Sequence, residues 1–119
     1  VREYWKSQMT LHALTGVIRY AQYDDVLYII AENPNTPVKV LDLLSKNEDE
    51  KVRLFVAEDP RLSTKTLARL SKDENEKVRI PVTVNSSTSK KTLTRLSEDE
   101  NEDVRLAVAE NYNTSKKID

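Results

Sequence analysis

At 119 residues, 38% of them hydrophobic, the chain has material for one domain and one shared core. Its 19 lysines and arginines nearly cancel its 20 acids, leaving a formal charge of −1, so bulk electrostatics gives no reason to expect nucleic acid or an anionic membrane as partner. The absence of cysteine excludes disulfides, thiolate metal sites and cysteine nucleophiles, and it fits a reducing, cytoplasmic setting.

The segment from Val1 to Asp25 stands apart from the rest. Val1-Arg2-Glu3-Tyr4-Trp5-Lys6 lacks the apolar core of a signal peptide, and no run in the chain approaches the roughly 18–20 apolar residues of a membrane span. Five of the seven aromatics lie between Val1 and Tyr28: Tyr4, Trp5, Tyr20, Tyr23 and Tyr28 itself. Such residues either cover an open end of a fold or anchor a partner, and Tyr4 and Trp5 are the candidate anchors. A divergent capping helix is expected over residues 9–20.

From Val26 onward the sequence returns on itself at a constant interval, the step from Val52 to Val78 and from Val78 to Val104. Val52-Arg53-Leu54-Phe55-Val56-Ala57 comes back as Val78-Arg79-Ile80-Pro81-Val82-Thr83 and as Val104-Arg105-Leu106-Ala107-Val108-Ala109. A fixed period of roughly 20–50 residues signals a solenoid, in which each unit buries its apolar face against its neighbours. The expected units span about residues 26–51, 52–77, 78–103 and a truncated 104–119. The last stops mid-unit, and the chain is expected to be a monomer or a fragment of a longer array.

Each unit reads as two short helices. The first begins at an acidic linker such as Asp73-Glu74-Asn75-Glu76, where carboxylates complement the helix dipole. It is apolar on nearly all sides, so it is expected to form the buried layer. Glu32-Asn33-Pro34 and Glu58-Asp59-Pro60 end it, because proline lacks the donor and clashes with the preceding turn. Thr36 is the expected N-cap of the next helix with Pro37 at its first position, and Ser63 and Thr88 or Ser89 serve downstream. That second helix carries a leucine stripe: Leu41 and Leu44, Leu67 and Leu70, Leu93 and Leu96. Pro81 inside the third first-helix predicts a shortened, kinked or 3₁₀ turn. No stretch alternates as a strand would, so the fold class is all-α.

The pattern Ala31-Glu32-Asn33-Pro34-Asn35-Thr36-Pro37, Leu41, Leu44 and then Val52-Arg53 resembles the leucine-rich repeat variant family, a HEAT-like branch of the armadillo-type α-solenoids. The resemblance covers about residues 26–119. It implies a right-handed superhelix with some 3₁₀ turns, and an aspartate six residues before each arginine that links neighbouring units. Asp73 with Arg79 and Asp99 with Arg105 keep that spacing, whereas Asn47 with Arg53 departs from it. The family's iron–sulfur segment does not carry over, for want of cysteine.

Two ladders recur with the period. Arg53, Arg79 and Arg105 are expected to bond helix ends and acids of adjacent units. Lys39, Lys65, Lys91 and Lys117, with Arg69 and Arg95, face solvent on the second helices. They form either an ordinary solvated face or a basic stripe able to follow phosphates or an acidic peptide. The single histidine, His12, has no second ligand, and the single glycine, Gly16, rules out a phosphate loop. No enzyme, cofactor or metal is expected. The expected role is a scaffold that binds another protein through the second-helix face or the aromatic N-terminal end, with nucleic acid along the lysine stripe as the alternative.

Overall fold

The computed structural model describes the backbone of residues 24–118 and the side chains of residues 26–111. Tyr4, Trp5, His12 and the expected capping helix lie outside the described residues. Among these residues there are seven α-helices and no strand or 3₁₀ segment. We label them α1 (Asp24–Glu32), α2 (Val38–Leu44), α3 (Glu50–Ala57), α4 (Thr64–Leu70), α5 (Glu76–Val84), α6 (Lys90–Leu96) and α7 (Glu102–Ile118). The odd-numbered helices begin at residues 24, 50, 76 and 102, and the even-numbered ones at 38, 64 and 90. The all-α fold is therefore laid out with the period of the sequence. None of the described helices is long and apolar enough to cross a membrane.

The chain divides between Val56 and Ala57 into two compact units. In the first, α1 packs on α2, and Leu27, Ile30, Val40, Leu41, Leu44 and Val52 are buried. The Tyr28 and Phe55 rings meet at 5.2 Å with a 50° tilt, a geometry aromatic pairs favour. In the second, α5 packs against α4 and α7, and α6 against α7. Its core is Leu67, Leu70, Val78, Val82, Leu96 and Val104. Helices of seven to nine residues do not persist alone in water, so these exist because this burial holds them.

The leucine stripe is buried except at Leu93, which is half-buried. One further position joins it, occupied by Val40, Thr66 and Thr92. The threonines are accommodated because Ser63 Oγ donates to Thr66 Oγ1 at 3.0 Å and Ser89 Oγ to Thr92 Oγ1 at 3.1 Å. Those same serines are the N-caps, accepting from the backbone N–H of Thr66 at 3.1 Å and of Thr92 at 3.2 Å.

Three expectations are corrected. Thr36 is not the N-cap of α2; Pro37 occupies that position with no side-chain bond, and the Thr36 hydroxyl turns back to donate to the Ile30 carbonyl. Thr88 does the same to Val82 O at 2.7 Å, while Leu62, at the equivalent place, is simply buried. A hydroxyl there adds a second bond to a helix-end carbonyl that otherwise has only the N–H of Asn33 or Asn85, at 3.4 and 3.3 Å.

The odd-numbered helices are not buried all round. Leu54 and Ile80 are half-buried, and Leu106 and Val84 are 50% and 61% exposed. The core side of the helix and its repeats is carried by Val52 and Val56 and extended by Ala57, Pro81 and Thr83.

Pro81 does not shorten α5 either, which runs nine residues through it. Proline removes the N–H that would bond the Lys77 carbonyl, but the turn beyond is secured by side chains. Thr83 Oγ1 donates to Ile80 O at 2.7 Å, as Thr88 Oγ1 does to Val82 O.

Helix α7 departs from the period differently. Asn111-Tyr112-Asn113-Thr114-Ser115-Lys116-Lys117 nearly copies Asn85-Ser86-Ser87-Thr88-Ser89-Lys90-Lys91, a turn with extended backbone at Asn85, yet α7 continues through it. Asp119 stands where Leu67 and Leu93 stand earlier, so this copy lacks the leucine that anchors a second helix. Helix propagation, one hydrogen bond per added residue, then wins.

Candidate interaction surface

Lys39, Lys65 and Lys91 are all exposed, each at the second residue of its helix. Arg69 is exposed as well. Lys117 belongs to α7, with its side chain outside the described residues. Arg95 is not a free member of this stripe. Its Nη2 donates to Ala68 O at 3.1 Å and to Ser71 Oγ, closing the C-terminal end of α4. A guanidinium at a helix C-terminus complements the negative end of the dipole, so part of the apparent basic ladder is structural.

The arginine ladder bonds the linker ahead of each odd-numbered helix. Nη1 of Arg53 donates to Asn47 O at 2.8 Å, that of Arg79 to Asp73 O at 2.7 Å, and that of Arg105 to Asp99 O at 2.6 Å. The six-residue spacing is thus a side-chain-to-backbone bond. The carboxylate partner of Arg79 is Asp99, 20 residues on, held through Nε at 2.9 Å and Nη2 at 3.1 Å. With side chains 8% and 10% exposed, this ion pair is nearly buried.

The acidic linkers are built as consecutive Asx turns. Asn47, Asp73 and Asp99 accept from the N–H of Asp49, Asn75 and Asn101, and Asp49, Asn75 and Asn101 accept from the N–H of Lys51, Lys77 and Asp103. The first set shapes the linker, and the second feeds the start of the following helix, satisfying donors left over there. Among the described residues no group of three or more histidine, cysteine, aspartate or glutamate side chains is placed to hold a metal ion.

A further ladder emerges only from the structure. Asn33, Asp59, Asn85 and Asn111 share one position of the period. Asn85 Nδ2 donates to Ala57 O at 2.8 Å and to Asp59 O at 2.9 Å, and its Oδ1 accepts from Ser87 N at 2.9 Å. Asn111 Nδ2 donates to Thr83 O at 2.7 Å. The signal for it in the sequence is three asparagines in register, overshadowed by the prolines that follow Asn33 and Asp59. Asp59 has no amide to donate and instead binds Arg61 through both oxygens, at 3.1 Å to Nε and 2.8 Å to Nη2. Burial pushes its carboxyl up, but the Arg61 side-chain bonds, backbone N–H and positive charge outweigh this and hold it below the ordinary aspartate value.

Two apolar features remain on the surface of the second unit. One is the outer side of α5 and α7, where Val84 and Leu106 stand out with half-buried Ile80. The other is a groove of about 550 Å³ on the face of α6 and α7, lined by Leu93, Thr94, Ser97, Arg105, Val108 and Ala109 among others. No protein-family model, curated protein or solved structure matches this chain.

Proposed function

We propose that the chain is a right-handed α-solenoid of 26-residue, two-helix units and works as a non-catalytic scaffold for another protein in the cytoplasm. The helix starts at constant intervals support the repeat architecture, as do the bonds that span 20 to 28 residues within the second unit. The observation that carries protein binding is the exposure of the large aliphatic Val84 and Leu106 on two helices that pack together, while Val78, Val82 and Val104 of the same helices are buried. Large exposed aliphatic side chains on rigid neighbouring elements are the material of a protein interface. The alternative, nucleic acid along the second helices, draws on the exposed Lys39, Lys65 and Lys91, but the commitment of Arg95 to Ser71 and Ala68 weakens it.

The two readings separate by affinity capture from the source cell's lysate, with and without nuclease. Val84→Glu is a gentle probe, because Glu58 and Glu110 already occupy that position in neighbouring units. A partner lost with Val84→Glu and Leu106→Gln, but kept with Lys65→Glu and Lys91→Glu and after nuclease, supports the scaffold. The reverse pattern supports nucleic acid. Capture indifferent to both pairs of substitutions refutes both surfaces.

A further inference from the structure

The groove on α6 and α7 has a counterpart one period earlier in the same unit, and there it is filled. Leu67 and Val82, the equivalents of Leu93 and Val108, are fully buried. Thr83, the equivalent of Ala109, is buried and its carbonyl receives Asn111. Ser71 Oγ and Ala68 O, the equivalents of Ser97 Oγ and Thr94 O, receive Arg95. Arg79, the equivalent of Arg105, spends Nε and Nη2 on Asp99.

On the later face every one of these places is open. Leu93 and Val108 are half-buried, and Thr94, Ser97, Arg105 and Ala109 are exposed. Arg105 uses only Nη1, on Asp99 O. An apolar floor is thus flanked by two polar fittings of known complement. Arg105 offers a guanidinium fork for a carboxylate, and the α6 end offers a hydroxyl and a carbonyl for a guanidinium.

Resting on the stacked-repeat reading, we infer that the α6–α7 face is a docking surface for a helical unit carrying an arginine and an aspartate four residues apart, the spacing of Arg95 and Asp99. The chain's own first unit is a poor occupant. Leu43 stands at the arginine position and Asn47 at the aspartate position, so a second copy docked through its first unit brings neither charge.

The test continues the full chain, in register after Asp119, with a copy of residues 94–119. This supplies the arginine and aspartate; a control extension carries alanine at both. In the extended chain Arg105→Ala should lower the folding constant about tenfold more than it does in the original or control chain, the scale of coupling between directly paired groups. The Leu93 and Val108 methyls should also lose solvent paramagnetic relaxation, down to the level of Leu67 and Val82. An equal Arg105→Ala penalty in all three chains, or methyls that stay exposed, overturns the inference. So does methyl protection that rises with concentration of the unextended chain, which would make a second copy the occupant. The same cycle on Arg79 and Asp99 in the original chain separates the two failures. Coupling there without coupling at Arg105 refutes this inference alone, whereas no coupling at either refutes the stacking.

Discussion

Arg79 and Asp99 form a two-pronged ion pair across 20 residues of sequence, with the same guanidinium also bonded to Asp73 O. One side chain therefore joins the linker before α5 to the linker before α7. Breaking a nearly buried pair from one side strands the remaining charge, which typically costs about 3–5 kcal/mol. Arg79→Ala and Asp99→Ala should each destabilise by about 3 kcal/mol in urea unfolding, while the double variant costs well under their sum. Additivity within about 0.5 kcal/mol would mean that the pair does not act as a unit.

Asn85 is buried and fully used, with two donor bonds and one acceptor bond. Asn85→Ala takes the amide donor from Ala57 O and leaves Asp59 O with the Leu62 N–H alone, at a cost of about 1–3 kcal/mol. Asn85→Asp should be worse at neutral pH, because a carboxylate would face the Ala57 and Asp59 carbonyls. Its excess cost should shrink in acid as that carboxyl takes up a proton. Thermal melts of both variants at neutral and acid pH check the order and its narrowing in acid.

Asp59 gives the native chain a pH signature. Its carboxyl is held below the ordinary value in the folded state by Arg61, against the opposing effect of burial. A depressed carboxylate contributes stability that is fully present above its unfolded value, and that stability disappears as pH falls through the folded value. With the pair partly exposed, the contribution is about 1 kcal/mol. Asp59→Asn should flatten this part of the acid limb; an acid limb of unchanged slope would assign it to other carboxylates.

Pro81 predicts a gain. Pro81→Ala returns the missing donor to Lys77 O and removes a helix-interior penalty of about 3 kcal/mol. The lost ring contacts of a buried residue offset about 1–2 kcal/mol of this. Ala107 occupies the equivalent place in α7, so the backbone accepts alanine. The difference between these two effects is a net stabilisation of about 1–2 kcal/mol. A loss of stability in calorimetry would mean that the ring's packing dominates.

The helices were legible because composition and period act together: Leu67 and Leu70 need a face to bury, and Ser63 and Ser89 start their helices with side chains of the right reach. What escaped was direction. The Thr36 hydroxyl can serve the helix behind it or the one ahead, and local sequence does not choose. Eight residues of α3 show that Val52 and Val56 share a side, but Leu54 is apolar too, and only packing decides which side meets water. The arginines were found through their spacing, but the carboxylate that Arg79 selects depends on how far one unit advances past the next. The readable six-residue interval led to Asp73, whose backbone oxygen is the true partner. The surface side chains Lys65 and Lys91 were placed correctly outward, yet the tie of Arg95 to Ser71 is invisible until α4 and α6 lie side by side.

Asn85 also constrains how the molecule can come apart. Its one side chain closes its own turn through Ser87 and holds the end of the preceding odd-numbered helix through Ala57 and Asp59. Neither place can open without releasing the other. Opening of the turn from Ala57 to Asp59 and fraying at the end of α5 are thus a single event, and slow hydrogen exchange in the two segments should share one opening free energy. A shared fastener of this kind makes neighbouring segments melt together where, left to themselves, they would peel away one by one.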